Sequence, residues 1–270
     1  MTEHQTVYTH GHQEPVLRSH RSRTVANSAG YLRPELRPGQ TVLDIGCGPG
    51  TITADLAELV GPTGRVVAVD SSAEVLAQAA DHVAGRGLTN VEFAVGDVHR
   101  LEYADGTFDV VHAHQVLQHV ADPVAALREL RRVLAPGGVL GARDADYAAM
   151  TWYPELPELA GWLDVYRRTA RANGGEPDAG RRLLAWARAA GFPEVTASSS
   201  TWTYATPGER LWWGGLWADR IEDSGLARTA QQHGVADRAE LAEIAEGWRR
   251  WTLEPDGWFA VLHGEVLARG

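Results

Sequence analysis

The stretch VLDIGCGPGTITADLA, residues 42–57, limits what this chain can fold into more than any other. An apolar run ends in an acid, Gly46, Gly48 and Gly50 follow, and a helix-like segment begins directly behind them. Glycines so placed let the backbone turn sharply out of a strand and come close to a ligand at a helix start. The alternation then continues. TVLDIG (41–46), RVVAVD (65–70), VEFAVGD (91–97), TFDVVHAH (107–114) and GVLGARDAD (138–146) read as buried strands, with helix-like stretches between them. Strands alternating with helices predict a parallel, doubly wound α/β sheet. Ser71 is placed to cap the helix after the second strand. Asp122-Pro123 reads as a cap and first-turn proline opening the helix VAALRELRRVLAPGG.

After residue 148 the texture changes. Helical stretches at 155–173 and 179–190 lead to a strand at 194–205, and a helical insert at 208–252 separates it from another at 257–268. All ten tryptophans lie in this half. The chain thus divides into an N-terminal helical arm or lid (1–40), a cofactor-binding core (41–147), and a C-terminal part of the same domain (148–270). That last part carries helical inserts at 148–190 and 206–252 and the final two strands. Every basic side chain is arginine, which excludes a Schiff-base lysine or a phosphate-loop lysine. The net charge of −10 argues against binding long nucleic acid. The one cysteine, Cys47, makes no intrachain disulfide, and no apolar run reaches membrane-spanning length. A cytoplasmic protein acting on a small molecule, with neither nucleic acid nor membrane as partner, is expected; a homodimer stays an open option.

The glycine loop reads G-x-G-x-G, not the dinucleotide spacing G-x-G-x-x-G, and Asp44 precedes it. An acid there repels a pyrophosphate and suits a ligand with a cationic end. Asp70, ending the second strand, suits ribose hydroxyls; Asp97, ending the third, suits an adenine amino group. Cationic amino-acid end, ribose and adenine together describe S-adenosylmethionine. In VLDIGCGPG, VVAVD, VEFAVGD, FDVVHAHQVLQHVADP and LRRVLAPGGVL, the chain resembles the class I S-adenosylmethionine-dependent methyltransferases over about residues 41–143, nearest the small-molecule, ubiquinone/menaquinone-biosynthesis-like group. The resemblance implies a Rossmann-like seven-stranded sheet, order 3-2-1-4-5-7-6, with a reversed last strand. It implies that Gly46, Cys47 and Gly48 contact the amino-acid portion, Asp70 the ribose, and Asp97 with Val98 the adenine. Gly50, Ser71, His114 and, from the arm, Tyr8 complete the expected cofactor set.

Methyl transfer from a sulfonium is an in-line displacement, so positioning supplies much of the acceleration. A base is needed only where the acceptor must lose a proton. His114, ending the fourth strand, and His119 are candidates, and His10 and His12 could arrive with a closing arm. His114, Asp144 and Asp146 sit near strand ends, but no metal is expected. Trp152 and Tyr153, after the fifth strand, and Trp213 and Trp217, on one helical face, are the expected acceptor contacts, which points to a small, largely hydrophobic or aromatic acceptor. The alternatives are methylation of a peptide or protein carboxylate, and a protein that binds S-adenosylmethionine without methylating.

Overall fold

The computed structural model describes residues 19–270, so Tyr8, His10 and His12 lie outside it. The strands are β1 (Thr41–Ile45), β2 (Arg65–Asp70), β3 (Val91–Val95), β4 (Phe108–His114), β5 (Leu134–Ala145), β6 (Thr151–Tyr153), β7 (Glu194–Tyr204) and β8 (Trp258–Arg269). They form one eight-stranded sheet. β3-β2-β1-β4-β5 run parallel, β8 lies antiparallel to β5, and β7 pairs along the outer side of β8. The expected seven strands are all present in the expected order. The eighth, β6, is an addition: after a turn at Tyr147–Ala149 the chain resumes pairing with β8, Thr151 opposite Ala260 and Tyr153 opposite Trp258. A segment of three residues carries no periodicity a sequence reading can find.

Val42, Leu43, Val66, Val110 and Val111 are fully buried because β1, β2 and β4 are covered on both faces. On one face lies α1 (Thr51–Val60), whose Leu56, Ala57 and Val60 pack with Val42, Val110, Val25 and Leu32. On the other, Leu127, Leu130 and Val133 of α3 (Pro123–Val133) meet Leu43, Val111 and Leu140. Helix α2 (Ala73–Gly85) lies against α1 so closely that a β-carbon at Gly50, whose φ is +79°, would stand 2.8 Å from the Ala79 side chain. Asp122 caps α3 as expected, accepting from the Ala125 amide at 2.8 Å. The cap of α2 is Ser72 rather than Ser71: its hydroxyl accepts from the Val75 amide, and its extended backbone marks the true helix start.

The second half builds its own helical layer from α4 (Pro157–Ala172), α5 (Leu183–Ala189), α6 (Pro207–Glu222), α7 (Gly225–Gln232) and α8 (Arg238–Leu253). Trp162, Trp213, Trp217, Trp248 and Trp251 are buried there with Phe259 of β8. Helix α8 opens with a capping box in which Asp237 accepts from the Ala239 and Glu240 amides. Asp237→Ala should therefore lower stability by about 1 kcal/mol and the melting midpoint by roughly 2–4 °C, read by thermal unfolding. No helix among the described residues is long and apolar enough to cross a membrane.

Candidate functional site

The β1–α1 turn is held against β2 by its own backbone. The Gly46 and Cys47 amides both donate to the Val69 carbonyl, at 2.7 and 3.1 Å. Gly46 has a φ of +67°, which side-chain-bearing residues rarely adopt. The Gly48 amide donates to one oxygen of Asp70 (3.1 Å) and the Ser72 amide to the other (3.0 Å), so the carboxylate at the end of β2 stands in a fixed orientation. Asp44 is buried: Oδ2 accepts from the Thr53 hydroxyl (2.6 Å), and Oδ1 lies 2.7 Å from His112 Nδ1. Asp97 accepts at one oxygen from both the backbone and the ring of His99, each at 2.9 Å. Partial burial pushes its pKa upward, but these bonds outweigh it and hold the carboxyl below its ordinary value.

These groups surround a cavity of about 540 Å³ at the carboxyl ends of β1, β2 and β4 and beyond β3. Asp44, Gly46, Cys47, Gly48, Asp70, Ser71, Asp97, Val98, His114 and His119 all line it. Gly50 does not; it lets α1 and α2 approach. The four expected acceptor contacts do not line it either. Trp213 and Trp217 are buried in the aromatic core, Trp152 stacks on Phe259 at 5.7 Å, and Tyr153 is exposed. The spacing of Trp213 and Trp217 marks a shared face, and that face packs inward.

The cavity is also lined by residues the sequence did not single out: His20 and Arg23 from the N-terminal segment, and Gln115 after β4. Gln115 has a φ of +54°, unusual for its residue type, and is fixed on three sides. Its amide donates to the Arg143 carbonyl (2.7 Å), its side-chain oxygen accepts from Arg23 (2.7 Å), and its Nε2 lies 3.0 Å from His263. His119 sits in a short 3-10 turn with Nε2 2.9 Å from Gln118 Nε2. Burial, and then Arg23, lower its pKa to about 3. Of the carboxylates near the strand ends, Asp146 pairs with Arg181 through both oxygens (2.7 Å each), and Asp144 accepts the Gln118 amide. Burial raises Asp144 to about 7. Among the described residues, no group of three or more His, Cys, Asp or Glu side chains is placed to hold a metal ion.

The depressed His119 has a measurable consequence. The unfolded chain binds a proton at this imidazole below about pH 6.5 and the folded protein does not, so stability falls as pH drops from there towards 3. The contribution is about 1.4 kcal/mol per pH unit. His119→Gln should flatten the dependence of unfolding free energy on pH by that amount, measured by denaturant unfolding at a series of pH values; an unchanged slope would contradict the assignment.

Residues 36–182 match the family model described as a methyltransferase domain, which is more than half of the chain. The chain belongs to the class I S-adenosylmethionine-dependent methyltransferases. This methyltransferase is 32% identical to an uncharacterized methyltransferase of Schizosaccharomyces pombe over 97% of this chain and 96% of that one. It is 35% identical to the ubiquinone/menaquinone biosynthesis C-methyltransferase UbiE of Ectopseudomonas mendocina, over 62% of this chain and 70% of that one. Among solved structures it resembles the [4+2]-cyclase SpnF, with a TM-score of 0.52 and 25% identity over 96% of this chain and 87% of that one. The methyltransferase therefore uses S-adenosylmethionine as its methyl donor.

Proposed function

We propose that the cofactor lies along the cavity from β3 to β4, and that a small-molecule acceptor enters at the His114–Gln115–His119 end. The observation that carries this reading is the placement of Asp44, Asp70 and Asp97 at successive strand ends of one cavity, with the glycine turn beneath them. Asp70 grips the ribose hydroxyls through the oxygens that Gly48 and Ser72 orient, and Asp97 with Val98 receives the adenine. Gly46, Cys47 and Gly48 pass close along the amino-acid portion, and Asp44 and Ser71 stand at its cationic side. The methyl group then points towards the far end, where Val116 and Val120 supply an apolar wall and Gln115, His114 and His119 the polar groups. A small acceptor with an apolar body and one polar reacting atom suits that lining. His20 and Arg23 form a wall of the cavity, so the described part of the N-terminal segment covers one side of it. The chain's own contribution is to align acceptor and sulfonium and to keep water out.

Asp70→Ala should weaken binding of S-adenosylhomocysteine about tenfold or more, by calorimetric titration, because a buried-side acceptor for two hydroxyls is lost. The acceptor class is tested with methyl-labelled S-adenosylmethionine and an extract of the producing cells, separated into small molecules, protein and nucleic acid. Label in an extractable small molecule is expected. Label in protein would favour carboxylate methylation. Binding without label in any fraction would favour a non-methylating use of the fold, and the similar structure SpnF is named as a cyclase.

A further inference from the structure

We infer that His114 is the catalytic base and that it takes its proton from a hydroxyl of the acceptor, so the atom methylated is oxygen. The inference rests on the placement of the acceptor proposed above. His114 closes β4, lines the cavity and is buried, yet neither of its ring nitrogens has a hydrogen-bond partner. The other imidazoles around it each have a nitrogen engaged: His112 with Asp44, His119 with Gln118, His263 with Gln115. A buried polar atom left without a partner costs free energy, and two on the ring of a residue that lines the cavity call for a ligand that supplies one. The ring is held in place by its neighbours, parallel to His112 at 6.4 Å and flanked by Trp202 at 5.8 Å and His263 at 6.3 Å.

The charges facing His114 decide between acceptor types. From β5, Arg143 stands directly beside it in the strand pairing, and Arg23 faces it from the N-terminal segment. β4 and β8 contribute His112 and His263, and β7 the uncharged Trp202. The nearby carboxylates are already engaged. Asp44 of β1 is held by Thr53 and His112, and Glu265 of β8 by Arg143 and the hydroxyls of Ser198 and Ser200. An acceptor that arrives as an ammonium would meet the Arg23 guanidinium on the cavity wall facing His114. An acceptor oxygen that gains negative charge as its proton leaves is stabilised by that group. Burial first, then Arg23 and Arg143, hold the imidazole well below its ordinary pKa, so it is neutral at physiological pH, and the negative charge growing on the acceptor oxygen favours the imidazolium as the proton arrives. In the step, the hydroxyl proton passes to a ring nitrogen of His114 and an oxygen lone pair forms the bond to the methyl carbon. The carbon–sulfur bond breaks with its electrons going to sulfur. The products are a methyl ether and S-adenosylhomocysteine, and the imidazolium then releases its proton to solvent.

The test uses the full chain, methyl-labelled S-adenosylmethionine and the cell extract, with wild type, His114→Asn and His114→Gln compared between about pH 6.5 and 9. Wild type should label a small molecule at a rate nearly independent of pH, and hydriodic acid should release that label as iodomethane. The variant that keeps its affinity for S-adenosylhomocysteine should be slower by about 100-fold or more at the low end and recover as pH rises and the acceptor ionises unaided. Label that resists hydriodic acid, a variant within a few-fold of wild type, or a loss that does not recover with pH would each overturn the assignment. If both variants lose S-adenosylhomocysteine binding, His114 is a structural residue of the cofactor site and the proposal fails. No small-molecule label with wild type would overturn the acceptor reading itself, and the proposal with it, and so is distinct from failure in the variants alone.

Discussion

Gly46→Ala should lower stability by about 3 kcal/mol and weaken S-adenosylhomocysteine binding by about two orders of magnitude or more. The estimate combines left-handed backbone strain of roughly 1–2 kcal/mol with overpacking of roughly 1–3 kcal/mol. The new β-carbon would stand 2.4 Å from Val116 Cγ2, well inside contact distance, on a backbone whose φ is +67°. Val116 is β-branched and stiff, so relief must come from moving either the glycine turn or the segment after β4, and both line the cavity. Gly61→Ala is the control. Its φ is +68°, but nothing lies within 4 Å of the added carbon. Its ψ is 179°, so it should cost about 1–3 kcal/mol from backbone strain alone and leave binding unchanged. Thermal unfolding and calorimetric titration of both variants read the two effects separately; equal behaviour would contradict the account.

Trp162→Ala should lower stability by about 4 kcal/mol, and the melting midpoint by roughly 10 °C, while cofactor affinity measured below the transition stays at the wild-type value. Trp162 is fully buried, with its ring against those of Tyr147, Trp152, Tyr166, Trp217, Trp248 and Phe259. Removing it leaves a cavity that the rigid rings around it fill poorly. Its indole N–H is buried without a hydrogen-bond partner. Trp162→Phe, which deletes that group and keeps most of the ring, should therefore cost less than half as much. A cofactor affinity that falls with Trp162→Ala would mean that the aromatic layer reaches the site, which its geometry opposes.

The tryptophans also show where sequence reading reaches its limit. The spacing of Trp213 and Trp217 correctly puts them on one side of α6, but a helical face does not say whether it looks onto a ligand or a neighbouring helix. Trp213 stacks on Tyr204 of β7 and lies beside Phe259 of β8, and Trp217 packs against Trp162 and Tyr166 of α4 and Trp248 of α8. The strands were legible because β1, β2 and β4 are covered on both faces and so appear as unbroken apolar runs, whereas their order came from the family resemblance. The glycine turn and the acids Asp44, Asp70 and Asp97 were legible because strand ends in this fold converge on one place. What converges from elsewhere was not. The ring that holds Asp44 comes from His112, 68 residues along the chain. Arg23 and His20 reach the cavity from the N-terminal segment, and the φ of Gln115 leaves no mark in a sequence. Ser71 and Ser72 differ only in which of them leaves the helical conformation.

Amide hydrogen exchange with and without saturating S-adenosylmethionine tests the central claim, that the cofactor occupies the cavity at the ends of β1, β2 and β4. Protection should increase in residues 44–52, 70–75, 96–99 and 112–121 and stay unchanged in α4, α7 and α8. Protection concentrated in those insert helices, with none in the glycine turn, would contradict it.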